Sequence, residues 1–198
     1  MDFTIRTYRS LLESLLDAEY KFITYYEYLT SSLPDRFIVL RHDVDVLPFN
    51  SLRIARIEHE LGIKGVYYFR IVPVSWNEKV IKDIAKLGHE VGYHYESLTT
   101  CHGNLVEAYN DFKSNLQKLR TLVPVFTICM HGSPRSPYDS KDIWKEYSYR
   151  DLDILGEPYL DTDFSKVFYL TDTGRRWDGF KVSVRDKISN FQEEWNKK

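Results

Sequence analysis

Short β-prone runs alternate with amphipathic stretches along most of this chain, and that alternation restricts it to a few architectures. The pattern predicts strands over 37–42, 66–72, 90–94 and 125–130. Between them it predicts helices over 51–61, 78–87 and 104–122, with Gly62 and Gly88 as stops and Asn104 as N-cap. Two further helices, over 5–17 and 24–31, precede the first strand. Strands separated by helices lie parallel, with the helices packed outside the sheet. Periodicity alone leaves an open sheet and a barrel equally available, and in both, ligands gather at the C-terminal ends of the strands. Beyond residue 140 the pattern loosens. A helix is expected over 142–149, strands over 167–170 and 182–184, and a last helix over 186–196.

The strand-end rule picks out chemistry. The first strand runs into Arg41-His42-Asp43-Val44-Asp45, the third into His94-Tyr95-Glu96, and the fourth into His131-Gly132. Alternation along a strand puts Asp43 and Asp45 on the same side. Two carboxylates that close need a cation or a shared proton between them. Asp is also common wherever a strand ends, so the pair alone decides nothing. Three strand ends in register carrying His, Asp and Glu are better explained by one site than by three accidents. A mixed Asp/His set is typical of a first-row metal site, zinc first among hydrolases, with nickel, cobalt or iron also possible. Asp45 and His94 are the best ligands. His131 is preferred as the third because it ends a core strand, with His102, in a loop, as the alternative. Asp43 is then placed to act as base. Glu96 is read first as a substrate contact, with metal ligand and partner of Arg41 as the other options. His89 is read as structural and His59 as a surface residue.

Composition narrows the function classes. The 198 residues suit one domain, 1–198, with a real core. A formal net charge of −2 with interspersed signs argues against a dedicated nucleic-acid binder. No apolar run is long enough for a membrane span, and the N-terminus shows no signal core, so a cytoplasmic location is expected. Two cysteines, Cys101 and Cys129, fit a reducing compartment. The 15 Tyr, 11 Phe and 4 Trp could line a sugar site, although core filling is the commoner use. In the tail, Arg175 and Trp177 could clamp an anion and stack on a ring, or simply decorate a surface hairpin.

Arg41-His42-Asp43-Val44-Asp45, followed by Gly88-His89-Glu90-Val91-Gly92 and His94, resembles the polysaccharide deacetylase family, carbohydrate esterase family 4. The likeness runs roughly from Tyr8 to Tyr138 and weakens beyond. It implies a distorted (β/α) barrel with outer helices, Asp43 as catalytic base, and Asp45 and His94 as metal ligands. Arg135-Ser136-Pro137-Tyr138 is similar to the family's third motif, which makes Arg135 a candidate substrate contact. The implied activity is metal-dependent hydrolysis of an acetyl or similar acyl amide on an N-acylated sugar or glycan precursor. Two departures stand out. Leu98 occupies the position of the family's second motif histidine, and no histidine follows His131 to serve as the late general acid. Truncation before the family's C-terminal strand is one alternative the resemblance leaves open. A non-catalytic carbohydrate-binding or regulatory domain on the same scaffold is the competing expectation. Hydrolysis of a phosphoester or cyclic amide is a third.

Overall fold

The computed structural model describes residues 3–133 and 136–172. Four parallel strands form the main sheet in the order β3-β4-β5-β6: β3 (Arg41–Val44), β4 (Val66–Phe69), β5 (Glu90–Tyr95) and β6 (Ile128–Met130). Two shorter parallel strands, β1 (Lys21–Ile23) and β2 (Phe37–Val39), form a second sheet. The main connections run through α3 (Pro48–Glu60), α4 (Glu78–Lys86) and α6 (Leu105–Arg120). The architecture is α/β, with a curled four-stranded parallel sheet that makes a half-barrel wrapped by helices, as the resemblance implied.

The helices start where side chains can satisfy their first N–H groups. Thr4 caps α1 (Ile5–Asp17), and Thr24 and Glu27 close a reciprocal capping box on α2 (Tyr25–Thr30). Asn77 caps α4 and Asn104 caps α6. α3 has no side-chain cap and begins at Pro48, whose missing N–H costs nothing in the first turn. It therefore opens three residues before the periodic apolar pattern does.

Strand periodicity sorts the side chains onto two faces. On the outer face, Val44, Tyr67, Phe69, Val91, Tyr93, Tyr95, Ile128 and Met130 pack against Leu52 and Ala55 of α3, Val80, Ile81 and Ile84 of α4, and Phe112, Leu116 and Leu119 of α6. On the inner face, Val66, Tyr68 and Cys129 meet Tyr25 of α2, flanked by Leu29, Val39 and Tyr159. With both faces covered, all four residues of β4 are buried. Gly92 lies on the inner face of β5 because Tyr68 crosses it. A Cβ there would stand 2.3 Å from the Tyr68 ring and 2.8 Å from the Thr127 carbonyl.

Several boundaries differ from expectation. The run over 37–42 is two strands, not one: β2 pairs with β1, the chain breaks at Leu40, and β3 joins the main sheet. β4 stops at Phe69 because 72–76 turns back on itself, Ser75 and Trp76 both donating to the Val72 carbonyl. β6 starts at Ile128, since Thr127 bridges to Gly156. In place of a helix over 142–149 there are two 3-10 helices, Ser140–Lys145 and Tyr149–Leu152. Residues 167–170 form no strand. Among the described residues no strand pairs with them, and Phe168 and Leu170 stay half exposed. The strand expected over 182–184 and the helix over 186–196 lie outside the described residues. Among the described residues, no helix is long and apolar enough to cross a membrane.

Two outcomes follow. Gly92→Ala should lower stability by about 1–3 kcal/mol, the usual cost of overpacking, seen as an earlier urea midpoint. Glu157, fully buried behind β6, accepts from the Met130, Tyr159 and Leu160 N–H groups. Burial outweighs those bonds and pushes its carboxyl up to about 7. The folded chain then keeps a proton that the unfolded chain releases from about pH 4.5, so stability declines as pH rises through that window. In urea midpoints measured across it, Glu157→Gln should flatten the decline, whatever its absolute stability.

Candidate metal centre

The alternation that builds the core also builds the site. His42 and Val44 turn outward, which leaves Arg41 and Asp43 on the inner face. β5 presents His94 inward near its C-terminal end, and His131 follows β6 directly. The His131 N–H donates to the Tyr95 carbonyl at 2.7 Å and so continues the β5–β6 ladder, fixing where its ring stands. Asp45 lies just beyond β3 in a tight turn, its N–H 3.1 Å from the Asp43 carbonyl. Both carboxylates face His94, as the strand reading expected: Asp45 Oδ1 is 3.5 Å and Asp43 Oδ2 3.9 Å from His94 Nε2.

Asp45 Oδ1, His94 Nε2 and His131 Nδ1 form a compact triangle. Its sides are 3.5 Å from Asp45 to His94, 3.0 Å from Asp45 to His131, and 3.3 Å between the two imidazoles. Ligands about 2.0–2.1 Å from a tetrahedral ion lie about 3.3 Å apart, so these sides match one face of such a site. Asp45 Oδ1 is buried and receives no hydrogen bond, although His131 Nδ1 lies so near. A buried carboxylate oxygen without a donor calls for a cation.

The protonation states agree. The Cys129 carbonyl can only accept, so the 2.8 Å contact places the His94 proton on Nδ1 and leaves the Nε2 lone pair facing the triangle. Burial lowers the His94 pKa despite the pull of Asp43 and Asp45, which keeps the ring in its neutral, ligating form. For Asp45, burial would raise the carboxyl. The contact with His131, then the charges of His94, His131 and Arg70, outweigh it and hold the carboxyl below its usual value. The donor set therefore fits a divalent first-row ion with one position left open. A second group, Asp43, His94 and Cys129, also converges and shares His94. Its thiol, however, points toward the Met130 carbonyl at 3.8 Å.

Asp43 faces solvent at the edge of the triangle and is held by Arg41, with 3.3 Å between Oδ2 and Nη2. Arg41 donates to the Tyr159 and Tyr169 hydroxyls at 2.9 and 3.0 Å, and its guanidinium lies over both rings. Glu96 is not the partner of Arg41. Its carboxylate takes a fork from Arg70, with contacts of 2.7 to 2.9 Å, and lies 4.0 Å from His131 Nε2. Sequence reasoning missed Arg70, although it sits at the end of the second strand and the strand-end rule applies there too. It also missed Tyr159 and Tyr169, which no local pattern marks.

The remaining candidates lie elsewhere. His102 is exposed in the loop after the short helix Ser97–Thr100 and is not part of either converging group. Leu98 is buried with Ala108 and Ile143. His89 is buried, accepting from Gly65 N–H and donating to the Ala55 carbonyl, while His59 is exposed and contacts the Leu87 carbonyl. Arg135, Arg175 and Trp177 lie outside the described residues.

No protein-family model matches the chain, and no curated protein sequence matches it. Among solved structures the chain is similar to a family 4 carbohydrate esterase from Bacillus anthracis, with a TM-score of 0.43 and 12% identity over 60% of this chain. The match spans 56% of that enzyme's length, and a likeness this distant says nothing about the chemistry of the site.

Proposed function

We propose that residues 1–198 form one catalytic domain, a metal-dependent hydrolase related to the polysaccharide deacetylases. It removes an acetyl or similar acyl group from an N-acylated sugar or glycan precursor. The observation that carries the metal requirement is the triangle of Asp45 Oδ1, His94 Nε2 and His131 Nδ1, three potential ligand atoms 3.0 to 3.5 Å apart. The acyl-sugar substrate rests on the motif resemblance of Asp43, Asp45 and His94. His131 takes the ligand role that Leu98 leaves vacant.

A divalent ion held by these three residues, zinc first, would polarise the acyl carbonyl and activate water at neutral pH. Asp43 supplies the base. Its Oδ2, 3.9 Å from a ligating nitrogen, is close enough to take a proton from the attacking water. Arg41, clasped by two tyrosines, keeps that carboxylate in one orientation. The departing amine needs a proton, and Asp43, once protonated, is the acid at the same place.

Metal content and acetate release from N-acetylated amino sugars test the reading together. Full-length protein purified without chelator should carry about one metal per chain. Asp45→Ala, His94→Ala and His131→Ala should lose it, and His102→Ala should keep it. Asp43→Asn should keep its metal while turnover falls by about 10²–10⁴-fold. Wild type that stays metal-free after reconstitution would favour the non-catalytic carbohydrate-binding domain. A metal-loaded chain inert toward acyl sugars would point to a different scissile bond.

A further inference from the structure

Arg70 and Glu96 form a closely matched ion pair at the rim, and the chemistry above uses neither. Arg70 Nε and Nη2 donate to Glu96 Oε1 at 2.9 and 2.7 Å, and Nη2 also reaches Oε2 at 2.8 Å. The pair joins the ends of β4 and β5, and both side chains are more than four-fifths buried. A fork like this fixes the plane of the carboxylate, not just its position. Oε1 is engaged twice. Oε2 takes only one of the three bonds and turns toward His131, whose Nε2 is 4.0 Å away.

The two imidazoles of the triangle are set up in parallel. His94 offers Nε2 inward because its Nδ1–H is held by the Cys129 carbonyl. His131 offers Nδ1 inward, so a neutral ring that ligates through Nδ1 carries its one proton on Nε2. That proton faces Glu96. An approach of about 1 Å brings the pair to hydrogen-bond length. We infer that Glu96 is a positioning residue for His131: its Oε2 accepts the Nε2–H and fixes the tautomer and tilt of the ring, while Arg70 competes for the same carboxylate. This rests on the metal-binding reading of Asp45, His94 and His131. It extends that reading to a residue that sequence reasoning took first for a substrate contact.

Two variants break the same ion pair with opposite consequences for His131. Glu96→Ala removes the acceptor, whereas Arg70→Met leaves the carboxylate free to turn fully toward the ring. Zinc affinity is measured on the full chain by competition with a chromophoric chelator, beside the melting temperature of each metal-free variant. Glu96→Ala should bind zinc about 10–100-fold more weakly than wild type. Arg70→Met should bind it as tightly as wild type or tighter, even where both variants melt earlier. Nitrogen-15 spectra of the zinc-loaded wild type should show the His131 proton on Nε2. Equal zinc losses in the two variants would mean that the ion pair acts only structurally, and would overturn the inference. So would unchanged affinity in Glu96→Ala. Wild type that binds no zinc would overturn the metal reading itself, and this inference with it.

Discussion

The hydrogen bond from His94 Nδ1 to the Cys129 carbonyl ties the site to the sheet. It crosses from β5 to β6 inside the barrel, where water does not compete. It settles which nitrogen of a buried imidazole carries the proton, and therefore which one faces Asp45 and His131. The register of β5 against β6, with His94 opposite Cys129, puts the donor beside its acceptor. That register is held in turn by the ladder that runs on to His131, while Gly92 under Tyr68 sets β5 against β4 on its other side. A candidate metal site built in this way inherits its precision from strand pairing.

The opposite face of β3 carries a polar cluster of a different kind. His42 turns outward and meets Glu58 of α3 at 2.6 Å, and Glu58 also accepts from the hydroxyls of Tyr8 and Tyr67. Glu58 is fully buried. Burial alone would raise its carboxyl, but His42 and the two tyrosines hold it below its usual value. All its contacts are satisfied, so the cluster works as a clamp that joins α1, α3 and β3. Adjacent residues of one short motif thus serve two purposes. Arg41 and Asp43 face the candidate metal site, and His42 anchors the strand from outside.

The sequence made some of this legible and hid the rest, for identifiable reasons. The helix over 5–17 is found with its boundaries intact, because its apolar positions repeat at helical spacing and Thr4 caps its first turn locally. The convergence of Asp45, His94 and His131 was also foreseeable, since parallel strands deliver their ends to one rim. Arg70 was hidden by a boundary: a strand read through to 72 buries it in the middle of an element instead of placing it at the end. The break at Leu40 was hidden because one apolar run serves two sheets. Glu58 looks like an ordinary charge in Arg56-Ile57-Glu58-His59-Glu60, and only its tertiary partners His42, Tyr67 and Tyr8, the last fifty residues away, reveal that it is a core acceptor. The clasp of Arg41 by Tyr159 and Tyr169 depends on contacts more than a hundred residues apart, and no local pattern predicts it.

X-ray absorption at the zinc edge, on the zinc-loaded full chain, tests the central claim most directly. If Asp45, His94 and His131 hold the ion, the first shell contains only nitrogen and oxygen at about 2.0–2.1 Å, with outer-shell scattering from two imidazoles. A sulfur neighbour at about 2.3 Å would place the ion instead on Asp43, His94 and Cys129. Scattering from one imidazole or none would remove one or both of His94 and His131 from the site. Either result would contradict the account.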